Sequence, residues 1–340
     1  MQYTKLGMSD VQVSRICLGA MGFGAPNEQH PWTVDYATSL AIVREALNAG
    51  VTFFDTAFGY NMGTSEQFLG RALRDCGAER DTVQIATKFV PPSASTRAQG
   101  FSDSTWVRHC LETSLERLNM DYVDLYICHW WQADCDMQAV LETMSSFVDE
   151  GKVRALGVSN MFAWQIAEHN ATAKTRGFHR IDSIQGHYNL INREEEREML
   201  PYCKLHQVSL TPYSSLAGGR LSRLPEEQLN SKRGRLDKIG VAKYGSTLDA
   251  DAPIIHRVHE LAGVHGTSMA NIALAWLLTK ADAPIVGATR PERVAQTVEA
   301  LSIELTPEDI AYLEEPYVPH RLVGVMDQVQ QGLKAQIAAL

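Results

Sequence analysis

Val51-Thr52-Phe53-Phe54-Asp55 and Val83-Gln84-Ile85-Ala86-Thr87-Lys88 are two apolar runs that each stop on a charge. Leu125-Tyr126-Ile127-Cys128-His129 repeats the pattern and stops on an imidazole. Each run has the length and the aromatic or β-branched content of a buried strand. Tyr60 follows Asp55 within one loop. Polar groups at successive strand ends meet only if the strands are parallel and share one face. An acid, a phenol, an ammonium and an imidazole gathered there fit proton transfer to a carbonyl.

Working outward, strand-like runs fall at 15–18, 52–55, 83–88, 123–129, 155–159, 183–186, 209–213 and 284–287. Amphipathic stretches lie between them. Val107, Cys110, Leu111, Leu115 and Leu118 share a helical face, as do Leu69, Ala72, Leu73 and Cys76 after a capping-box signal at Thr64 and Gln67. Eight β/α alternations without a break in composition predict a single α/β domain, a (β/α)8 barrel over 1–318. A doubly wound sheet is the competing architecture. It needs a Gly-rich turn after the first strand, and Gly22-Phe23-Gly24-Ala25-Pro26-Asn27 lacks the last glycine and carries a proline. Residues 1–13 alternate around Gly7 as a hairpin that can plug the barrel bottom. The charged segment 218–251 hangs over the active face. Residues 319–340 form a tail, helical from Val325 to Leu340, with Val329, Leu333 and Ile337 aligned.

Composition narrows the function classes. The net charge of −9, without a basic block, argues against nucleic acid and anionic membranes as partners. No apolar run approaches the ~20 residues of a membrane helix, and Met1-Gln2-Tyr3-Thr4-Lys5 has no signal-peptide core. Six scattered cysteines without C-x-x-C read as thiols of a reducing cytosol. The expectation is a cytoplasmic protein acting on a small molecule, its oligomeric state unreadable.

The four strand-end groups have complementary chemistry. A phenol with a reference pKa of ~10 is a poor acid at neutral pH. A neighbouring ammonium, Lys88, makes the Tyr60 proton easier to release. Asp55 can hold Lys88 by an ion pair, and His129 can hydrogen-bond the substrate oxygen or join the proton relay.

Here the chain resembles the aldo-keto reductases. Asp55-Thr56-Ala57-Phe58-Gly59-Tyr60 is similar to that family's D-T-A-x-x-Y signature, with Glu66 and Gly70 as in its E-x-x-x-G helix. The stretch from Leu115 to Leu125 with His129 resembles L-x-R-L-x-x-D-Y-V-D-L-x-x-x-H. Gly151-Lys152-Val153-Arg154 through Gly157-Val158-Ser159-Asn160 resembles G-K-x-R-x-x-G-x-S-N. His187-Tyr188-Asn189-Leu190-Ile191 and the acidic run after Arg193 look closest to the bacterial YajO-type branch.

The resemblance implies NADP(H) bound extended over the barrel mouth and reduction of aldehydes or ketones, with Tyr60 as general acid. Ser159, Asn160 and Gln185 are then expected at the nicotinamide carboxamide, with Tyr213 stacked on the ring. Ser214, Leu216, Gly218 and Arg220 are expected along the pyrophosphate. Gly287, Thr289, Arg290 and Arg293 open a helix with Pro291 at its first position and suit the adenosine 2′-phosphate. Gln296 is expected at the adenine edge, where Thr297 replaces the asparagine of many relatives. Trp32, Phe58, Phe89, Trp130 and Trp131 lie on loops after the first four strands and are expected to line an apolar substrate pocket. Two other classes compete. One is an NADPH-binding redox sensor with slow turnover. The other is a metal-dependent barrel lyase or isomerase, for which only Asp55 and His129 are placed as ligands and Lys88 competes with a cation.

Overall fold

Alternation along the strands sorts the core into two shells. The computed structural model describes residues 1–26, 30–230 and 232–338, with the backbone alone at 229, 230, 232 and 233. The turn at Asn27 and the expected tail end at Leu340 lie outside them. An antiparallel hairpin, β1 (Tyr3–Lys5) and β2 (Gln12–Ser14), opens the chain. Eight strands follow: β3 (Cys17–Gly19), β4 (Phe53–Asp55), β5 (Gln84–Phe89), β6 (Val123–Cys128), β7 (Val153–Ser159), β8 (Ile181–Gln185), β9 (Ser209–Leu210) and β10 (Ile285–Gly287). They form one parallel sheet in the order β10-β3-β4-β5-β6-β7-β8-β9, with a helix or helices after nearly every strand. The Ile285 N–H donates to the Pro212 carbonyl at 2.9 Å, drawing the two edge strands together and curling the sheet into the (β/α)8 fold. The doubly wound alternative is thereby set aside.

Successive residues of a strand face opposite sides. Phe53, Ala86, Leu125, Ile127 and Ala155 point inward, where Leu6, Val11 and Val13 of the hairpin segment join them as a bottom plug. Phe54, Ile85, Tyr126, Leu156 and Ile184 point outward into the larger core beneath the helices. The same parity sends Asp55, Lys88, Ser159 and Gln185 into the barrel at its upper rim.

Three local expectations shift. Thr64 is the first residue of helix Thr64–Asp75, not its cap; Gly63, at φ +89°, holds the N-cap position and supplies no side chain. β9 stops at Leu210 because Pro212 has no N–H to give. The ladder nevertheless resumes, with the Tyr213 N–H donating to the Gly186 carbonyl at 2.9 Å. The segment after β9 is neither loop nor strand. It coils through short 3-10 turns and helix Lys238–Tyr244 before helix Leu248–Val264. The tail forms helix Val325–Ala338, burying Met326 and Val329 while Ile337 is exposed. It lies against the loop after β6, where Gln336 Nε2 donates to the Ala133 carbonyl at 2.5 Å. All six cysteines are free thiols, four of them buried. No single helix among the described residues is long and apolar enough to cross a membrane.

Candidate active site

The tetrad converges. Lys88 has no solvent exposure, and its ammonium donates to Asp55 Oδ1 at 2.6 Å, to the Thr56 carbonyl at 2.7 Å and to the Tyr60 hydroxyl at 3.2 Å. Asp55 Oδ2 accepts from Gln185 Nε2 at 3.0 Å, which ties β8 to β4 across the barrel. The Tyr60 and His129 rings meet edge to face with centroids 5.9 Å apart. Phenol and imidazole therefore border one space at the mouth.

The electrostatics separate their roles. Burial opposes the Lys88 charge, but Asp55 and Tyr60 outweigh it and hold the ammonium above its ordinary pKa. Burial pushes the Tyr60 phenol up, and Lys88 recovers only part of that rise. The expected easing by Lys88 is present but is the smaller effect, so Tyr60 stays a neutral proton donor. Burial, then the Lys88 charge, lowers His129 to about 3. Its ring is neutral and offers one N–H. Burial raises the Asp55 carboxyl, against the pull of Lys88 and Gln185; the pair titrates as a unit.

The Tyr60 turn is held from two sides. Asn61 and Met62 adopt left-handed conformations, φ +48° and +58°, which asparagine tolerates and methionine adopts only at a cost. Asn61 Nδ2 fastens the turn by donating to the Met21 and Phe23 carbonyls at 3.0 and 2.7 Å. From below, Arg117 donates to the Phe58 carbonyl at 2.9 Å and to the buried Glu66 carboxylate at 3.1 Å. Glu66 also accepts from Thr87, next to Lys88. A Cβ on Gly63 would meet Arg117 Cζ at 2.4 Å, so this glycine makes room for the guanidinium. In the sequence Glu66 and Arg117 are only letters of two separate motifs, and nothing there places them together under the tyrosine turn.

Beyond the tetrad, the polar rim forms a second network. Asn160, at φ +51°, donates from Nδ2 to the His129 carbonyl at 2.9 Å and to Ser159 Oγ at 2.8 Å, and its Oδ1 accepts from the Tyr213 hydroxyl at 2.8 Å. Ser159 Oγ donates to the Gln185 carbonyl at 2.9 Å. Tyr213 stacks on His187 with centroids 5.2 Å apart and planes at 12°. The His187–Ile191 motif has a local purpose: His187 and Asn189 grip the Tyr244 hydroxyl at 2.7 and 3.1 Å.

The chain after Tyr213 is contorted. Ser214, Ala217, Gly218 and Gly219 all have positive φ, between 50° and 101°. Leu216 is partly buried at the head of this turn. Arg220 Nε is buried without a hydrogen-bond partner among the described residues, while its guanidinium faces the Tyr244 ring at 5.2 Å. Across from it, Gly287 is exposed, Thr289 half-buried, and Arg290 and Arg293 stand where helix Glu292–Glu299 begins. Pro291 occupies the N-cap position, one residue before that expected, and gives no side-chain cap. Arg293 is lowered by burial and then by Arg290; Arg223 is lowered by burial and then by Arg293. Arg293 thus lies within electrostatic reach of both Arg290 and Arg223, and such a cluster of guanidiniums fits a polyanion such as a dinucleotide's phosphates. Arg223 lies in the charged segment 218–251, where nothing in the sequence sets it apart from its neighbours. Gln296 is exposed on the same helix, and Thr297 returns its hydroxyl to the Arg293 carbonyl at 2.7 Å.

The aromatic residues divide. Trp130 lies against His129 with centroids 5.2 Å apart. Phe89 does not face the mouth: it follows Lys88 by one position, so it points outward, fully buried and stacked on Tyr126. Phe58 sits under the Arg117 guanidinium and edges onto Trp106. Trp32 is buried against Gly22, and Trp131 packs toward Trp164 with centroids 6.2 Å apart. Among the described residues no group of three His, Cys, Asp or Glu side chains is arranged to hold a metal ion.

Comparison with known proteins gives one answer. The model of the Aldo/keto reductase family matches residues 15–317. A versiconal hemiacetal acetate reductase of Aspergillus parasiticus is 37% identical over 338 residues, covering 94% of this chain and 98% of that protein. A putative aryl-alcohol dehydrogenase of Schizosaccharomyces pombe is 34% identical, covering 95% and 97%. A thermostable aldo-keto reductase solved with the inhibitor epalrestat superposes with a TM-score of 0.71 at 27% identity, covering 93% of this chain and all of that one. These relatives by sequence are fungal and do not confirm the expected bacterial YajO-type branch.

Proposed function

The chain belongs to the aldo/keto reductase family and is an oxidoreductase acting on carbonyl or alcohol groups, and from that premise we propose that it reduces aldehydes or ketones with NADPH, using Tyr60 as the acid. When bound, the reduced coenzyme supplies the hydride that the carbonyl carbon accepts. The protein's part is to place and protonate. Tyr60 gives its hydroxyl proton to the carbonyl oxygen, and solvent later restores it. Lys88, 3.2 Å from that hydroxyl, stabilises the phenolate left behind. Asp55 keeps Lys88 charged. The neutral His129 ring donates one hydrogen bond to the same oxygen and orients it.

The observation that carries this reading is the fully buried Lys88 ammonium shared between Asp55 and the Tyr60 hydroxyl. The cluster of Arg223, Arg290 and Arg293, with Arg293 in electrostatic reach of the other two, supports a 2′-phosphate, and hence NADPH over NADH. The 12° pairing with His187 and the bond to Asn160 hold Tyr213 as a platform for the nicotinamide. Trp130 beside His129 favours a flat or apolar carbonyl substrate, in keeping with an aryl-alcohol dehydrogenase among the relatives. The test is a panel of aromatic and aliphatic aldehydes and ketones, followed by loss of NADPH absorbance and repeated with NADH. Turnover of aryl aldehydes with NADPH is expected. Failure of every carbonyl, or equal efficiency with NADH, overturns the corresponding half of the proposal.

A further inference from the structure

Helix Lys238–Tyr244 brings a cation to the ring that bounds the mouth beyond β9. Its last residue, Tyr244, is 2% exposed and clamped by His187 and Asn189. Its first turn is fixed by the Asp237 side chain, which accepts from the Gly240 N–H at 2.9 Å. Held at both ends, the helix sets the Lys243 ammonium 4.7 Å from the centroid of the Tyr213 ring. Gly324, at φ +64°, passes beside the lysine stem: a Cβ there would meet Lys243 Cε at 3.0 Å. The tail backbone therefore confines Lys243 from a second direction. Nothing in the sequence pattern of 218–251 marks this lysine.

We propose that Lys243 sets the preference of the protein for the reduced over the oxidised nicotinamide coenzyme, an inference that rests on the reading of Tyr213 as the nicotinamide platform. The reduced ring is neutral and the oxidised ring carries a full positive charge. An ammonium held at the platform opposes the oxidised form and leaves the reduced form alone. The two forms share the same phosphates, so any attraction of Lys243 to phosphate cancels from the ratio of their affinities. Loss of hydride thus switches on a repulsion that promotes departure of the spent coenzyme.

The test titrates the full-length chain separately with NADPH and with NADP+, following tryptophan fluorescence, for wild type, Lys243→Met and Lys243→Arg. Two unit charges about 4 Å apart under water-like screening are worth about fivefold in an equilibrium constant. Lys243→Met is therefore expected to shrink the Kd ratio of oxidised to reduced coenzyme by about three- to tenfold, and Lys243→Arg to keep it within about twofold. An unchanged ratio in Lys243→Met overturns the proposal, including the case where both affinities weaken together, which marks a phosphate-binding or packing role. A ratio that collapses equally in Lys243→Arg also overturns it, because charge is then not the cause. A wild-type chain that binds neither coenzyme removes the underlying reading, and this proposal with it.

Discussion

The Lys88 ammonium lies 2.6 Å from Asp55 Oδ1, 33 residues away, with both side chains almost wholly inside the barrel. Two charges taken out of water in this way depend on each other. Removing one partner of a buried pair typically costs about 3–5 kcal/mol, because the other is left uncompensated. Asp55→Asn and Lys88→Met are each expected to lower the unfolding free energy by about that amount. The double variant should lose much less than the sum. Urea denaturation of the four proteins measures the coupling; additive losses would show that the pair is not a unit.

The depressed histidines predict acid sensitivity. His129 is lowered to about 3 and His169 to about 4, both first by burial. Between these values and the ordinary histidine range near ~6.5, the unfolded chain binds protons that the folded chain refuses. The contribution of these two rings to stability therefore falls as pH drops through that window and is recovered above it. The Glu195 carboxyl, raised by burial to about 8, acts with the opposite sign in this window, so the test is a difference. The change of denaturation midpoint from pH 4 to pH 6.5 should be lowered in His129→Asn, relative to wild type, by the loss of the His129 contribution. NMR of the His129 ring at pH 5 should report the neutral form; a protonated ring there contradicts the account.

The support beneath the tyrosine turn is separable from the chemistry above it. Arg117→Met removes the bonds to the Phe58 carbonyl and to the Glu66 carboxylate. A drop in kcat of about tenfold or more is expected from a loosened Tyr60, without a matching loss of coenzyme affinity. Arg117→Lys should restore only part of it, since an ammonium lacks the guanidinium fork. Steady-state kinetics with coenzyme Kd values decide; a fall in affinity alone would place Arg117 elsewhere in function.

The aromatic residues should split by strand parity. Phe89→Ala empties a filled space beside Tyr126 and should cost about 3–5 kcal/mol of stability, with substrate preference unchanged. Trp130→Ala should leave stability nearly intact and raise KM for aryl substrates. A substrate panel alongside thermal denaturation distinguishes them. A specificity change in Phe89→Ala would mean the ring reaches the mouth after all.

These contrasts show where the sequence was legible. Asp55, Lys88 and His129 were readable because each ends an apolar run, and parallel strands then bring their ends together. The same alternation excludes Phe89, one residue past Lys88, and proximity in sequence alone does not reveal that. Arg117 lies some sixty residues from the Phe58 carbonyl it holds, so its role needs the packing of helix Asp103–Leu118 against helix Thr64–Asp75. The contacts of 218–251 were hidden for a different reason. Short turns with left-handed residues at 217–219 carry no hydrophobic period, so neither Arg223 nor Lys243 stands out from the surrounding charges.

In the proposed reaction the Tyr60 hydroxyl is the proton donor to the carbonyl. The most direct test of that role is single-turnover oxidation of bound NADPH by an aryl aldehyde in wild type and in Tyr60→Phe, with coenzyme affinity measured on the same samples. Removing a positioned acid is expected to slow the step by about 10²–10⁴-fold while NADPH binds as in wild type. A Tyr60→Phe variant that turns over at the wild-type rate would contradict the account.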